Sequence, residues 1–495
     1  MFDYELLQKL PVLSLPGTNP ESLTTLSDTQ ILFNQYYDYI ETVYWAAFFA
    51  TAIIVLWIAY LKIKRHPAIK AIDRPPHHMN DRGNKWFGLY QRLFSIDEIK
   101  GSTTLKLMGG AVLLGHLINY YFLVQTMNGT VQGVENGTNV CWPFLQGCEA
   151  FIFLQSFPTS HMQRIIYACL FFIIVYAAKA LFENKIARAH GCIFILFIWH
   201  LYISLISYSQ YMTVGAYTYY ILALTFVFVF CMHRRFFFCL LFIFFYFLSV
   251  TTKLSDTWIL GTYFSSEMAG APLFSNTLVP FATNFVILIE LFLPWFLISR
   301  HTKIQRATFY IFSLFHFYAT FIVMYHYSII AVPAYLILFG SRFTPFKTIP
   351  VDKKSWLGWS LIILLCVIQA VPHLISKDRW ITLEGGLYGM YMIEANHQCD
   401  VRIYDGNDIV QHVQHVKPSY RCDPYQIVTV AQNTTCAKNP DKSYRIEFLH
   451  SVNGGPFYEI INEDNLCTLE YKAFTHNEWI KTREEAPALY RPAKN

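Results

Sequence analysis

The sequence predicts a polytopic α-helical membrane bundle of about ten spans, followed by a C-terminal, mostly β extracytoplasmic domain. Three observations predict it. Of 495 residues, 54% are hydrophobic and only 14% charged. That composition excludes an ordinary soluble domain and supplies apolar runs able to cross a hydrocarbon core about 30 Å thick. Short basic clusters recur between those runs. From roughly Asp378 onward the chain turns polar and alternates with the period of a strand.

The apolar runs lie near residues 44–61, 105–124, 162–181, 191–207, 211–232, 236–250, 281–298, 307–324, 329–339 and 356–371. The ninth is short and contains Pro333, so it reads as re-entrant or as an oblique crossing inside the bundle. The first run is preceded by a mixed polar segment with no cleavable signal peptide in view. This divides the chain into an N-terminal portion (1–99), a transmembrane bundle (100–376) and an outer domain (377–495).

Lys and Arg set the orientation. KIKRHPAIKAIDR follows the first run, NKIAR the third, HRR the fifth, SRHTKIQR the seventh, and SRFTPFK with VDKK the ninth. If every run crosses, all of these fall on one side, the cytosolic one or its equivalent. A net charge of +5 distributed this way marks topology and gives no reason to expect nucleic acid. The opposite side receives Cys141, Cys148, Cys399, Cys422, Cys436 and Cys467, an even set that suggests disulfides in an oxidising compartment such as periplasm, lumen or intermembrane space. Their pairing stays open, with unpaired thiols as the alternative. The remaining five, Cys169, Cys192, Cys231, Cys239 and Cys366, lie in the runs. Sequons at Asn128, Asn136 and Asn433 share the outer side. In the tail, YMIEANHQCDVRIYDG and SYRIEFLHSVNGGPFYEII alternate, and Asp405-Gly406 and Gly454-Gly455 suit the turns between strands.

Few residues stand out chemically. Lys253, in YFLSVTTKLSDTWILGTYF, follows the sixth run. It is either a snorkelling flank or an amine held in an apolar cavity, where desolvation favours its neutral, basic form. A close Asp256 would oppose that. Glu290 lies in the middle of a run, where an ionisable group usually faces the bundle interior. His316 and His326 occupy aromatic surroundings on the eighth run and its exit, and His116 and His200 lie in other runs; single histidines there are more often core residues than ligands. His77-His78 and His412 with His415 lack partners at ligand spacing, and the tail cysteines form no CxxC pair, so no metal is expected. No phosphate-cradling loop, nucleotide fingerprint or serine elbow is present.

Three segments carry a resemblance. YFLSVTTKLSDTWILGTYF, the stretch from ELFLPW through FSLFHFYATF to AVPAYLILF, and RIEFLHSVNGGPFYEIINEDNLC with GLYGMYMIEANHQCDVRIYDG upstream are similar to blocks of the vitamin K-dependent γ-glutamyl carboxylase family and its bacterial HTTM (horizontally transferred transmembrane) relatives. The similarity covers roughly residues 100 to 470. It implies a lyase that oxygenates vitamin K hydroquinone, or another quinol, so that a peptide glutamate loses a γ-proton and takes up carbon dioxide. Lys253 occupies the place of the family's base, with Glu290 and His316 as supporting polar groups. The chain departs from the pattern at Gly215, near the position of a family histidine, and at Thr252, where a paired lysine is usual. Two functions follow. One is a carboxylase-like, quinol-linked membrane enzyme or maturation factor acting on a peptide or protein at the outer face. The other is a non-catalytic subunit or scaffold of a larger membrane complex.

Overall fold

The computed structural model describes residues 28–65, 85–135, 138, 140–151, 159–206, 215–265, 274–322, 325–340, 346, 348–386, 388–389, 397–415, 422–453 and 455–489. His77-His78 and the sequon at Asn136 lie outside them, as do the side chains of His326, His415 and Asn128.

Among the described residues, ten long helices form the bundle: α1 (Tyr37–Arg65), α2 (Thr103–Glu135), α3 (Thr159–Phe182), α4 (Ile186–Ile206), α5 (Gly215–Phe230), α6 (Arg234–Lys253), α7 (Val279–Phe296), α8 (Thr302–Ile322), α9 (Tyr325–Phe339) and α10 (Trp356–Ile375). Six helical stretches among the described residues are long and apolar enough to cross a membrane: Tyr37–Ile58, Ile165–Phe182, Ile186–Leu205, Arg234–Lys253, Val279–Phe296 and Lys353–Ile375. This count, by length and composition among the described residues, does not support the expected ten spans. Helices also occupy the other four expected runs. In α2, Lys106, His116 and Asn119 interrupt the apolar run, and α8 opens on Lys303, Gln305 and Arg306. Helices α5 and α9 have 16 and 15 residues. The six stretches fit an integral membrane protein with lipid against its exposed apolar faces.

Burial ranks them. The α6 stretch is 89% buried and the α1 stretch only 11%. Helix α6 is apolar all round, RRFFFCLLFIFFYFLSVTTK, which is what a helix surrounded by others requires. Helices α7, α9 and α10 pack on it, and α8 joins α7 to α9. At Gly358 of α10, an added Cβ would stand 2.4 Å from the Phe237 ring, so only glycine permits that approach. Helix α1 attaches at the edge through Phe48 stacked on Phe247 and a Tyr44 hydroxyl donating to Asn284.

Both ends of α6 are fixed by charge. At its start Arg234 is fully buried, pairs with Glu98 at 2.9 Å, and donates to the carbonyls of Phe94 and Phe228. At its end stands Lys253.

The tail folds as one antiparallel sheet of β1 (His397–Asp405), β2 (Asp408–His415), β3 (Arg445–Val452), β4 (Phe457–Glu463) and β5 (Ala488–Leu489), in the order β2-β1-β3-β4-β5. Gly406, with φ +63°, makes the β1–β2 turn that Asp405-Gly406 predicts. A helix, α11 (Pro424–Thr434), covers one face. Its start is capped by Asp423, whose carboxylate accepts the Tyr425 N–H. The six outer cysteines pair as Cys141–Cys148, Cys399–Cys422 and Cys436–Cys467, compatible with an oxidising compartment. The other five are free.

Two predictions follow from the tail. Replacing Cys399 and Cys422 together by serine should lower the unfolding free energy of the sheet by about 2–4 kcal/mol, read by denaturant titration in detergent with and without reductant. The second concerns His450, which is fully buried, bonds the Ile381 carbonyl through Nδ1 and lies 3.0 Å from His397. Burial pushes its imidazole down to about 4. The unfolded chain therefore binds a proton that the native one refuses as pH falls from about 6.5 to 4. Stability should be full above that window and fall by about 3 kcal/mol on crossing it. His450→Gln should flatten the pH profile of unfolding.

Candidate functional site at the end of α6

The serine, threonine and lysine that close α6 bring polar groups to the end of an otherwise apolar helix. Ser249 and Lys253 are one turn apart and so share a face. That face meets α7 at Glu290. Lys253 Nζ lies 2.7 Å from Glu290 Oε2, with both side chains below 10% exposure. The Ser249 hydroxyl reaches the same carboxylate oxygen at 2.8 Å and the Tyr246 carbonyl at 2.7 Å, while Lys253 Nζ stands 3.5 Å from Ser249 Oγ. Lys253 also lies over the Trp258 ring, 5.2 Å from its centroid.

The chain after Lys253 builds the wall around it. The helix stops at Leu254, and Ser255, extended, leads into a single turn at Asp256–Ile259. Gly261, with φ +68°, then passes so near Val279 that a Cβ would lie 2.5 Å from it. This tight return is what sets Trp258 against the start of α7.

The outer domain closes the same end. Arg483 bonds Asp256 at 2.7 Å and both carboxylate oxygens of Asp378 at 2.9 Å. Burial opposes its charge, but the two aspartates more than offset that and hold the guanidinium above its ordinary value. Asp256 is thus committed to Arg483 rather than opposed to Lys253. Arg379 donates to the Thr251 carbonyl at 2.6 Å, Gln369 to the Thr251 hydroxyl at 3.0 Å, and Asn453 to Thr262 at 3.2 Å.

The structure therefore brings together two of the three expected residues. Lys253 is not a snorkelling flank, because its amine turns inward to Glu290. His316 lies elsewhere: its Nε2 meets the Tyr246 hydroxyl at 2.7 Å, and Tyr246 precedes Lys253 by two helical turns, about 10 Å along the axis. Ser249, Trp258 and Arg483 complete the site. Sequence spacing could have offered Ser249, one turn before the lysine; nothing local announced Arg483, 230 residues further on. Among the described residues, no group of three or more His, Cys, Asp or Glu could hold a metal. His412 bonds Asp400 on the sheet surface.

A second polar cluster appears where only isolated histidines were expected. His116 and His200 lie with ring centroids 5.4 Å apart, both fully buried between α2 and α4. The Thr225 hydroxyl donates to the Ile221 carbonyl, so it accepts from His116 Nε2 at 2.9 Å, and Asn119 meets His200 Nε2 at 2.7 Å.

A buried ion pair attracts strongly but is costly to desolvate, and breaking one half leaves an uncompensated charge. Glu290→Gln should thus destabilise the protein by about 3–5 kcal/mol, whereas Lys253→Met with Glu290→Leu should recover most of that loss. Thermal unfolding in detergent of Lys253→Met, Glu290→Leu and the double variant, with Glu290→Gln beside them, reads the coupling.

No family model, curated protein or solved structure matches the chain.

Proposed function

We propose that the protein is an integral membrane enzyme that removes a proton from a lipid-soluble hydroxyl compound at the outer end of α6, in the manner of a carboxylase-like, quinol-linked maturation factor. One observation carries the reading. Lys253, which a bland flank would send to water, is buried against Glu290 and roofed by a polar outer domain. Ionisable groups so placed inside a helical bundle mark sites more often than they mark packing.

The pair can take up one proton as a unit. A hydroxyl that enters beside it gives its proton to the Glu290 carboxylate, directly or through Lys253. The oxygen left behind carries a negative charge next to the ammonium. Charge is conserved: the pair gains one positive charge and the bound oxygen one negative. Low local polarity strengthens that compensation. Ser249 holds the carboxylate oxygen in place. A reduced quinone fits this role as a substrate because it partitions into the membrane and carries acidic hydroxyls. The outer domain then stands where a peptide or protein from the oxidising side would meet the product of that step.

The alternative is a scaffold for a larger membrane complex. The favouring observation is the same roof: Arg483 ties Asp256 to Asp378, a linkage suited to rigid docking as much as to catalysis.

The test supplies purified protein with reduced vitamin K, dioxygen, bicarbonate and a glutamate-rich peptide. The expected outcome is quinone epoxide and carboxylated peptide from the wild type, with at least a hundredfold loss in Lys253→Ala and Glu290→Gln. Absence of turnover in the wild type, together with a stable co-purifying membrane partner, would replace the enzyme by the scaffold.

A further inference from the structure

We infer that Trp258 is a second hydrogen-bond donor of this site, its indole N–H and the Lys253 ammonium together receiving one oxygen of the bound molecule. The inference rests on the proton-removal reading above and adds to it the group that would bind the resulting anion.

Trp258 is 6% exposed, and its Nε1 is buried without an acceptor among the described residues. A buried indole N–H normally finds a partner, because leaving the donor unbonded forfeits its hydration. Trp258 packs among Phe264, Val279, Tyr263 and Val286, with polar side chains of the same segment and of Lys253 close by in the chain or over its ring. Asp256, two residues away, is turned to Arg483 and to the Thr257 N–H instead. Ser255 bonds Thr257. Glu290 is taken by Lys253 and Ser249. Those oxygens are thus committed elsewhere, the indole N–H has no acceptor among the described residues, and the Lys253 ammonium lies over the same ring, 5.2 Å from its centroid.

The ring itself is held firmly. Phe264 packs edge-on at 5.3 Å and Tyr263 lies parallel at 6.4 Å between centroids. The Gly261 turn fixes the segment against Val279. A rigid, uncommitted donor next to a cation is the arrangement that stabilises oxygen as it gains negative charge: the donor needs no reorganisation, and its bond to an anion is stronger than its bond to a neutral hydroxyl. Lys253 supplies charge, and Trp258 supplies direction.

Trp258→Phe removes the N–H while keeping an aromatic ring under the ammonium and most of the packing. The full-length protein in lipid nanodiscs is titrated with 4-nitrophenol, whose absorbance reports whether the bound molecule is ionised, and with 4-nitroanisole, a matched ether that cannot ionise. Wild type should bind the phenol as its anion at a pH where the free phenol is largely protonated. Trp258→Phe should keep its melting temperature, bind the anion about tenfold more weakly and bind the ether as the wild type does. Lys253→Ala should lose anion binding. If turnover is present, Trp258→Phe should lower kcat by ten- to a hundredfold with little change in KM.

Equal anion affinity in wild type and Trp258→Phe would overturn the inference while leaving the proton-removal reading intact. Equal loss for phenol and ether would assign Trp258 to packing and also overturn it. Failure of the wild type to bind the phenolate would overturn both. Anion binding that depends on Trp258, without carboxylation of any peptide, would uphold the inference and remove the carboxylase chemistry alone.

Discussion

The contact between Lys253 and Glu290 decides how the rest of the molecule is arranged. Two charges cannot sit inside an apolar bundle apart from one another, because each alone would carry a desolvation cost of several kcal/mol. Their pairing therefore fixes the register of α6 against α7. A slip of one residue along either helix would turn one partner toward aromatic side chains. The opposite end of α6 obeys the same rule through Arg234 and Glu98. A helix whose middle is phenylalanine, leucine and isoleucine has little to define its axial position; its charged ends define it. Apolar packing supplies the attraction, and the ion pairs supply the address.

This explains what the sequence disclosed and what it did not. The bundle was legible because apolar runs and basic clusters are local signals. The sheet was legible from alternation and from Asp405-Gly406. The expected ten spans are not supported, since six stretches among the described residues are long and apolar enough to cross; α2 carries His116 and Asn119 within its apolar run, and α8 opens on polar residues. Within the site, Lys253 and Glu290 could each be singled out by the oddity of a charge in apolar company. Their partnership could not, because it joins two helices. His316 carried the same oddity and turned out to serve Tyr246.

The outer domain and the bundle are coupled more closely than a tail and an anchor would be. Trp142, beside the Cys141–Cys148 disulfide, donates to the Ser204 carbonyl at the end of α4. Tyr425 of α11 donates to the Cys141 carbonyl. One small oxidised loop thus touches both bodies. Arg379 and Arg483 make further connections to the end of α6. Polar contacts of this kind are directional, and several of them acting together leave the outer sheet little freedom to rotate above the membrane face.

Arg483 gives this coupling an order in time. The residue that neutralises Asp256 and Asp378 lies near the far end of the described chain, after all five disulfide-forming outer cysteines of the tail and loop that precede Cys467 and after Cys467 itself. While the protein is being made, α6 and α7 can insert and pair long before residue 483 exists. During that interval Asp256, and then Asp378, lack this partner. Closure waits for the last strands to be synthesised and delivered to the same side. A chain that stops short of Arg483 therefore leaves Asp256 and Asp378 without the guanidinium that links them.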